Sequence, residues 1–548
     1  MIKRGKFYFM TDSTFDLLEY PYPSKRTATV ANNGMVATSQ PLAAQAGLDI
    51  LKKGGNAVDA AIATAATLTV VEPTTNGIGG DAFALVWMKD KLYGLNGSGP
   101  SPKSISIDKV KAAGFEEMPQ YGWVPVTVPG APASWGALSE RFGNLPLIEV
   151  LEPAITYSEE GYPISPILGQ FWNKAYHKMK KNLDGKEFDA GFETFAPKGR
   201  APKIGEVWSS KDMAETLRKI GETNDRDFYE GDIADKIDAF SRKYNGFLRK
   251  EDLESYEPEW VDPISVNYRG YDVWEIPPNG QGLLALLALN VLKNFEMPEQ
   301  GSTESFHKQI EAIKLAFSLT KHQITDDNFS KLDIDELLSD LYGEATSQRV
   351  TKEALTPAAG EMPKGGTVYL ATADGEGNMV SFIQSNYRGF GSGIVIPETG
   401  IAMQNRGSDF SLNPKDPNAL EPGKRSFHTI IPGFLTKDQK PIGPFGVMGG
   451  PMQPQAHLQV VSNIVDYHMN PQAAMDAPRW QWMEGKNVLV EHGFPKHIAE
   501  GLERKGHQIK YDMGAATFGR GQIIWYDNDN KTYFGGTDGR TDSIIASY

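Results

Sequence analysis

Apolar and polar positions change rhythm along this chain, and the change divides it. The stretch PLAAQAGLDILKKGGNAVDAAIATAATLTVVEP, residues 41 to 73, predicts two Ala-rich helices hinged at Gly54-Gly55, the first stopped by glycine where helices favour it. So much alanine implies closely apposed helices. GGDAFALVWMKDKLYGLNG, 79 to 97, predicts two strands joined through Lys89 and Asp90. From about 105 to 345 the pattern is mostly helical with Pro and Gly punctuation, and SSKDMAETLRKI carries a helix start signal in Ser209 and Asp212. From 367 onward the rhythm becomes short β-runs between glycine turns, with one clear helix after GVMGG.

Composition narrows the function classes. At 548 residues the chain exceeds one ordinary core, and ~150 residues per domain would give roughly three or four units unless the fold is one large layered body. No apolar run approaches the ~18 residues of a membrane helix, and the opening MIKRGKFYFM has an apolar run too short for a signal-peptide core, so a cytoplasmic protein is expected. The absence of Cys removes disulfides, thiolate metal sites and cysteine nucleophiles. A net charge of −14 without a Lys/Arg run argues against nucleic acid and for a small-molecule or peptide substrate. The nine His show no HExxH or comparable spacing, so neither metal nor cofactor is expected, and GFGSG at 389 to 393 lacks the strand-Gly-helix setting of a nucleotide motif.

Candidate chemistry enters with PKGGTVYLATADGEGNMVSFIQS, 363 to 385. Two β-runs flank DGEGN, whose residue types suit a tight turn. A loop centred on Glu376 places Thr367 opposite Ser385, with directly opposed Cβ atoms about 5 Å apart. Were Thr367 an N-terminus, its α-amine would act as general base for its own Oγ and the neighbouring hydroxyl would orient or relay the proton. Gly365-Gly366 would let the preceding carbonyl reach that Oγ. Further on, a strand ending at Gly449-Gly450 meets a helix opened by Pro451 and Pro454 and carrying Leu458, Val461 and Ile464; unpaired N–H groups at such a junction suit an oxyanion hole. Singly, each feature has an ordinary explanation as a strand threonine or a glycine turn.

In order, NNGMVATSQPLAAQAGLDILKKGGNAVDAAIA, VVEPTTNGIGGDAF, VPVTVPGAPASWGALSERFGNLPLIEVLEPAI, FYEGDIADKI, IPPNGQG, the Thr367 hairpin, FGSGIVIPETGIAMQNRGSDFS, MGGP and GTDGRTDSIIASY resemble the γ-glutamyltransferase family of N-terminal nucleophile hydrolases, from about residue 28 to the end. The resemblance implies an α+β fold, a four-layer αββα sandwich with a helix-rich large subunit. It also implies a precursor that cuts itself between Gly366 and Thr367, giving a large subunit of residues 1–366 and a small one of 367–548 that stay intertwined, and it leaves room for a homo-oligomer. Carried over by position, Thr367 is the nucleophile, Asp374 the motif aspartate, Ser385 the second hydroxyl, Gly449 and Gly450 the oxyanion pair, and Asp409 the partner of a donor α-amino group.

Other positions depart from the transferase pattern. Tyr387 stands where the family has an asparagine, Arg406 where it has a glutamine-like residue, and His428-Thr429 where a Ser-Ser pair grips the donor carboxylate. Ser98 replaces the arginine expected in the loop after the second N-terminal strand, and the short segment from Asp409 to Lys424 leaves no lid. These departures resemble the cephalosporin and glutaryl acylase branch. Two readings of Arg406 stay open, an anion anchor or a partner for Asp409, and His428 is either a structural or a site residue. The expected activity is cleavage of amide bonds, γ-glutamyl or glutaryl in type, through an acyl-threonine. The alternative is an unprocessed family member that serves as a binding or scaffold protein.

Overall fold

The Asn56 side chain accepts from the N–H groups of Val58 and Asp59, while the Asp59 carboxylate accepts from the N–H of Asn56. This capping box starts α2 (Ala57–Val71), a helix buried along its whole length. Its predecessor α1 (Pro41–Lys52) packs so closely that a Cβ on Gly47 would fall 2.3 Å from Thr64 Oγ1. The two helices are therefore as tightly apposed as their alanines imply. The computed structural model describes residues 26–299, 301–330, 332–357 and 366–548; the opening segment and Gly365 lie outside these.

Fourteen strands form two seven-stranded sheets: β1 (Thr29–Ala31), β2 (Gly34–Thr38), β3 (Asp81–Met88), β4 (Lys91–Gly97), β5 (Glu259–Val261), β6 (Ile264–Tyr268), β7 (Tyr271–Glu275), β8 (Gly366–Asp374), β9 (Met379–Tyr387), β10 (Gly433–Lys437), β11 (Lys440–Met448), β12 (Arg520–Asp527), β13 (Thr532–Thr537) and β14 (Ile544–Ser547). One sheet runs β14-β2-β8-β9-β3-β4-β5 and the other β1-β13-β12-β11-β10-β7-β6. Phe83, Leu85, Tyr369 and Ala371 of the first pack against Phe434, Met448, Ile524 and Tyr533 of the second in a dry seam between the sheets. Helices α1 and α2 cover the outer face of the first sheet. The second is covered by α3 (Gly282–Leu292), α4 (Thr303–Thr320) and α5 (Met452–Val465). The result is the expected αββα sandwich of mixed α+β class.

Three details differ from the sequence reading. Strands β5 to β7 lie in the stretch read as mostly helical; they are short, and Arg269 and Gly270, both at positive φ, form the two-residue turn between β6 and β7. The helix Lys211–Thr223 is capped by Ser210, whose side chain accepts from Met213 N–H, one residue beyond the predicted Ser209. Two further helices, Pro471–Asp476 and Lys496–Arg504, follow the one expected after GVMGG. Among the described residues no helix is long and apolar enough to cross a membrane.

Candidate active site

Asp374 fixes the hairpin that carries the candidate nucleophile. Its Oδ1 accepts from the N–H groups of Glu376 and Asn378, closing the turn, and its Oδ2 accepts from Ala57 N–H at the start of α2. The ladder from Val368↔Gln384 to Ala373↔Met379 keeps the predicted register, then shifts, so that Gly366 faces Tyr387. Thr367 sits at this irregularity, 1% exposed, and its Oγ1 donates to Ser385 Oγ at 3.2 Å. Ser385 Oγ in turn donates to the Gly366 carbonyl at 2.7 Å and accepts from Tyr387 N–H at 2.8 Å. Its single proton and both lone pairs are thus engaged. One hydroxyl therefore touches both Thr367 Oγ1 and the carbonyl oxygen of the Gly366–Thr367 bond.

Gly449 and Gly450 follow β11 at φ 145° and 61°, values that favour glycine, and their carbonyls accept the first N–H groups of the α5 turn. Among the described residues no backbone acceptor takes the N–H of either glycine. Gln281 pins this corner, donating through Nε2 to the carbonyls of Gly450 at 2.9 Å and Thr429 at 2.6 Å. Met448, just before the pair, faces Arg520 of β12, and Arg520 Nη2 donates to the Thr367 carbonyl at 3.4 Å. The glycine corner and the nucleophile strand thus share a neighbour. Sequence reasoning overlooked both Gln281 and Arg520; Gln281, a polar residue entering the apolar run GLLALLAL, was the visible signal.

Beyond the hairpin, Tyr387 adopts φ 74°, a strained value for a large side chain, and is held by its surroundings. Its hydroxyl donates to Asp409 Oδ1 at 2.6 Å and accepts from Arg388 Nη2 at 3.1 Å, while the Arg406 guanidinium stacks 4.0 Å from its ring centroid. Arg406 is 1% exposed, donates to Thr429 Oγ1 at 2.9 Å and lies 3.6 Å from Asp409 Oδ2. Burial pushes Asp409 up, opposed by Arg406 and the Tyr387 hydroxyl, and burial pushes Arg406 down, opposed by Asp409. Arg406 Nε and Nη2 and Asp409 Oδ2 have no hydrogen-bond partner among the described residues. A cavity of about 500 Å³ opens beside them, lined by Lys321, Arg388, Asp409, Asn418 and Phe427 among others.

His428 and Ser98 lie in buried networks joined through Asn279, whose carbonyl accepts from the His428 N–H at 2.9 Å. His428 Nε2 meets Asp81 Oδ2 at 3.0 Å, and its Nδ1 accepts from Ile430 N–H at 3.4 Å. Burial and the nearby Arg406 hold the imidazole well below its ordinary value, so it is neutral, and burial pushes Asp81 up to about 7. Ser98 Oγ donates to Asn96 Oδ1 at 2.6 Å beside Asn279, whose Nδ2 reaches the Ser426 carbonyl at 2.7 Å. Elsewhere, His307, Glu311 and His507 bring potential metal-ligand atoms within 4.8 Å of one another. Lys314 already fills that cluster, its Nζ 2.8 Å from Glu311 Oε1 and 3.4 Å from His507 Nδ1, so a divalent ion there would face a buried ammonium.

A family model described as Gamma-glutamyltranspeptidase matches residues 43–548. The chain belongs to the gamma-glutamyltranspeptidase family. Among relatives of this family member, the glutathione hydrolase-like YwrD proenzyme of Bacillus subtilis is 37% identical over 498 residues, 88% of this chain and 92% of that protein. The oxamate amidohydrolase proenzyme of Klebsiella pneumoniae is 29% identical over 537 residues, 95% of this chain and 100% of that protein. The crystal structure of a cephalosporin acylase from Bacillus halodurans superimposes with a TM-score of 0.95 at 59% identity, covering 98% of this chain and 99% of that one. The gamma-glutamyltranspeptidase-family chain thus has the N-terminal nucleophile hydrolase fold, and its relatives include acylases and amidohydrolases made as proenzymes.

Proposed function

We propose that this protein is a self-processing amidohydrolase and acyltransferase whose nucleophile is Thr367, released as an N-terminus by cleavage after Gly366. The observation that carries the reading is the Ser385 hydroxyl, bonded at once to Thr367 Oγ1 and to the Gly366 carbonyl. In processing, Thr367 Oγ attacks the Gly366 carbonyl carbon and Ser385 donates to the oxygen as it gains charge. The Oγ proton passes to the amide nitrogen as the C–N bond breaks, leaving an ester on Oγ, and water hydrolyses that ester to a Gly366 carboxylate and a free Thr367 α-amine. In turnover the α-amine takes the Oγ proton, the N–H groups of Gly449 and Gly450 receive the oxyanion, and the amine leaving group departs protonated. Water or an acceptor amine then resolves the acyl-threonine. Residues 1–366 form the large subunit and 367–548 the small one, acting in the cytoplasm.

Donor preference follows from charge. Asp409 already accepts from Tyr387 and faces Arg406, so a substrate α-amine meets a compensated carboxylate. Arg388, Arg406 and Lys321 around it favour a donor that brings its own carboxylate, as a glutaryl-type half-amide does. The deciding experiment is a denaturing gel with N-terminal sequencing of purified protein. A cut chain of 60.2 kDa gives fragments of roughly 40 and 20 kDa by residue share, the smaller beginning TVYLA, held together by a common core. One uncut band after long incubation sinks the proposal and leaves the binding or scaffold reading.

A further inference from the structure

Behind Thr367 lies an ion pair that this chemistry does not use. Glu72 ends α2, and its Oε1 meets Arg520 Nη1 at 3.1 Å, with both side chains nearly buried. Glu72 also accepts from Ser39 Oγ at 2.5 Å and from Thr75 Oγ1 at 3.2 Å. Thr75 is the neighbour of the cleavage point, since a Cβ on Gly366 would lie 3.3 Å from Thr75 Cγ2. The other arm of Arg520, Nη2, donates to the carbonyl of Thr367 itself, and the guanidinium lies 5.0 Å from the centroid of the Phe171 ring. A cation fixed to the nucleophile residue's own carbonyl has an electrostatic consequence as well as a structural one.

We propose that Arg520 is a positioning residue that keeps the α-amine of processed Thr367 unprotonated during catalysis, with Glu72 moderating its charge. The inference rests on the reading of Thr367 as a processed nucleophile. After the cut, the Thr367 carbonyl remains in the chain, separated from the new amine only by the α and carbonyl carbons. A guanidinium bonded to that oxygen therefore sits within about 6 Å of the amine and disfavours its ammonium form. An α-amine titrates near 7.7 to 8.0 when unperturbed, so a like charge at this distance brings the neutral base into the working range.

Other charges facing the pair have defined places. Asp542, which accepts from Ser165 Oγ and the N–H groups of Ile167 and Leu168, faces Glu72 and raises it, while burial and Glu72 together raise the neighbouring Tyr162. Burial also raises Glu72, whereas Arg520, Ser39 and Thr75 lower it. On the β9 side, Arg406, Arg388 and Asp409 gather on the Tyr387 side chain. Among the described residues, Arg520 is the cation bonded to Thr367.

The pH dependence of kcat/KM for an acyl anilide, measured on processed enzyme, tests this. Arg520→Gln raises the acid limb by about one pH unit, whereas Arg520→Lys, which keeps the charge, leaves it within about 0.3. A purely structural role would lower kcat in both variants with the limb unmoved, and either that result or an equal movement in Arg520→Lys overturns the inference. Should Arg520→Gln fail to fold or process, Glu72→Gln decides. It leaves the Arg520 charge uncompensated and lowers the limb by about half a pH unit, and a limb unmoved or raised there is the overturning result. Activity surviving in Thr367→Ala removes the nucleophile reading itself; an inactive Thr367→Ala with an unmoved limb in Arg520→Gln removes only the role of Arg520.

Discussion

Replacing Ser385 by Ala removes one oxygen and three contacts. The Thr367 hydroxyl loses its acceptor, the Gly366 carbonyl loses its donor, and the Tyr387 N–H is left buried without a partner. The orphaned N–H is a ground-state cost of about 1–3 kcal/mol, which appears as a lowered melting temperature. The lost donor to Gly366 acts mainly in the transition state, where the carbonyl oxygen gains charge; a hydrogen bond to a charged group contributes about 1.5–3 kcal/mol. At 1.36 kcal/mol per tenfold in rate, self-cleavage slows by roughly 10- to 100-fold. The check is a time course of small-fragment appearance from freshly purified precursor, with turnover of an acyl anilide measured on whatever has matured. Ser385→Thr restores the hydroxyl and recovers most of the rate. Self-cleavage at the wild-type rate in Ser385→Ala, with the melting temperature lowered as expected, would show that the hydroxyl is packing and not chemistry.

Three other outcomes are expected. Thr367→Ala stays uncut through long incubation, because no hydroxyl is left to attack Gly366; a gel showing fragments cut at the same bond would refute the assignment. Glutaryl-p-nitroanilide outperforms γ-glutamyl-p-nitroanilide in kcat/KM by about 30-fold or more, the value of one charge-assisted contact, and Arg388→Ala erases most of the margin; a large γ-glutamyl advantage would reverse the charge reading around Asp409. Burial, reinforced by Glu140, pushes Asp225 up to about 7. A carboxyl raised in the folded state contributes stability that is complete below its unfolded value near 4 and lost as pH rises through about 7. Asp225→Asn therefore gains on wild type by up to roughly 4 kcal/mol, about three pH units at ~1.36 kcal/mol each, between pH 4 and 8 in denaturant melts, and a constant difference across that range would contradict it.

The parts of this molecule legible in its sequence were those set by local chemistry. The α1–α2 pair announces itself through alanine density and the turn at Gly54, and the β8–β9 hairpin through the residue types of DGEGN, which fix a register that holds for six consecutive pairs. At the strand end the register slips by one, so that Gly366 faces Tyr387, a local irregularity that no side-chain pattern encodes, yet the Thr367 and Ser385 hydroxyls still meet at 3.2 Å. Strands β5 to β7 were illegible for a related reason. Each is only three to five residues long and gains its stability from the sheet edges it joins, β5 on β4 and β7 on β10, far away in sequence. In the site, Thr367, Ser385 and the glycine pair stood out because they occupy turns and strand ends. The residues of the Tyr387 cluster were reached only through the family resemblance, which offered Arg406 as a partner for Asp409, because Asp409, Arg406 and Thr429 meet across separate loops and no local pattern marks them. Gln281 and Arg520 act on backbone carbonyls; the Arg520 contact leaves no trace in residue spacing, and Gln281 shows only as a polar residue ahead of an apolar run.

The order of strands across the two sheets bears on how the protein ages. Strand β8, which begins at Gly366, lies inside its sheet between β2 and β9, and the partner sheet is mixed too, with β1, β6 and β7 drawn from before the proposed cleavage point and β10 to β13 from after it. Neither fragment holds a complete sheet, so the information that specifies the sandwich exists in one molecule only while the chain is whole. The precursor folds as a unimolecular event; the mature enzyme, once unravelled, would have to find its other half by collision while exposing unpaired strand edges that favour aggregation. Its durability is then a matter of how slowly it opens, not of how readily it closes again, and heat inactivation should behave as a one-way process whose half-life, not whose midpoint, measures fitness for use.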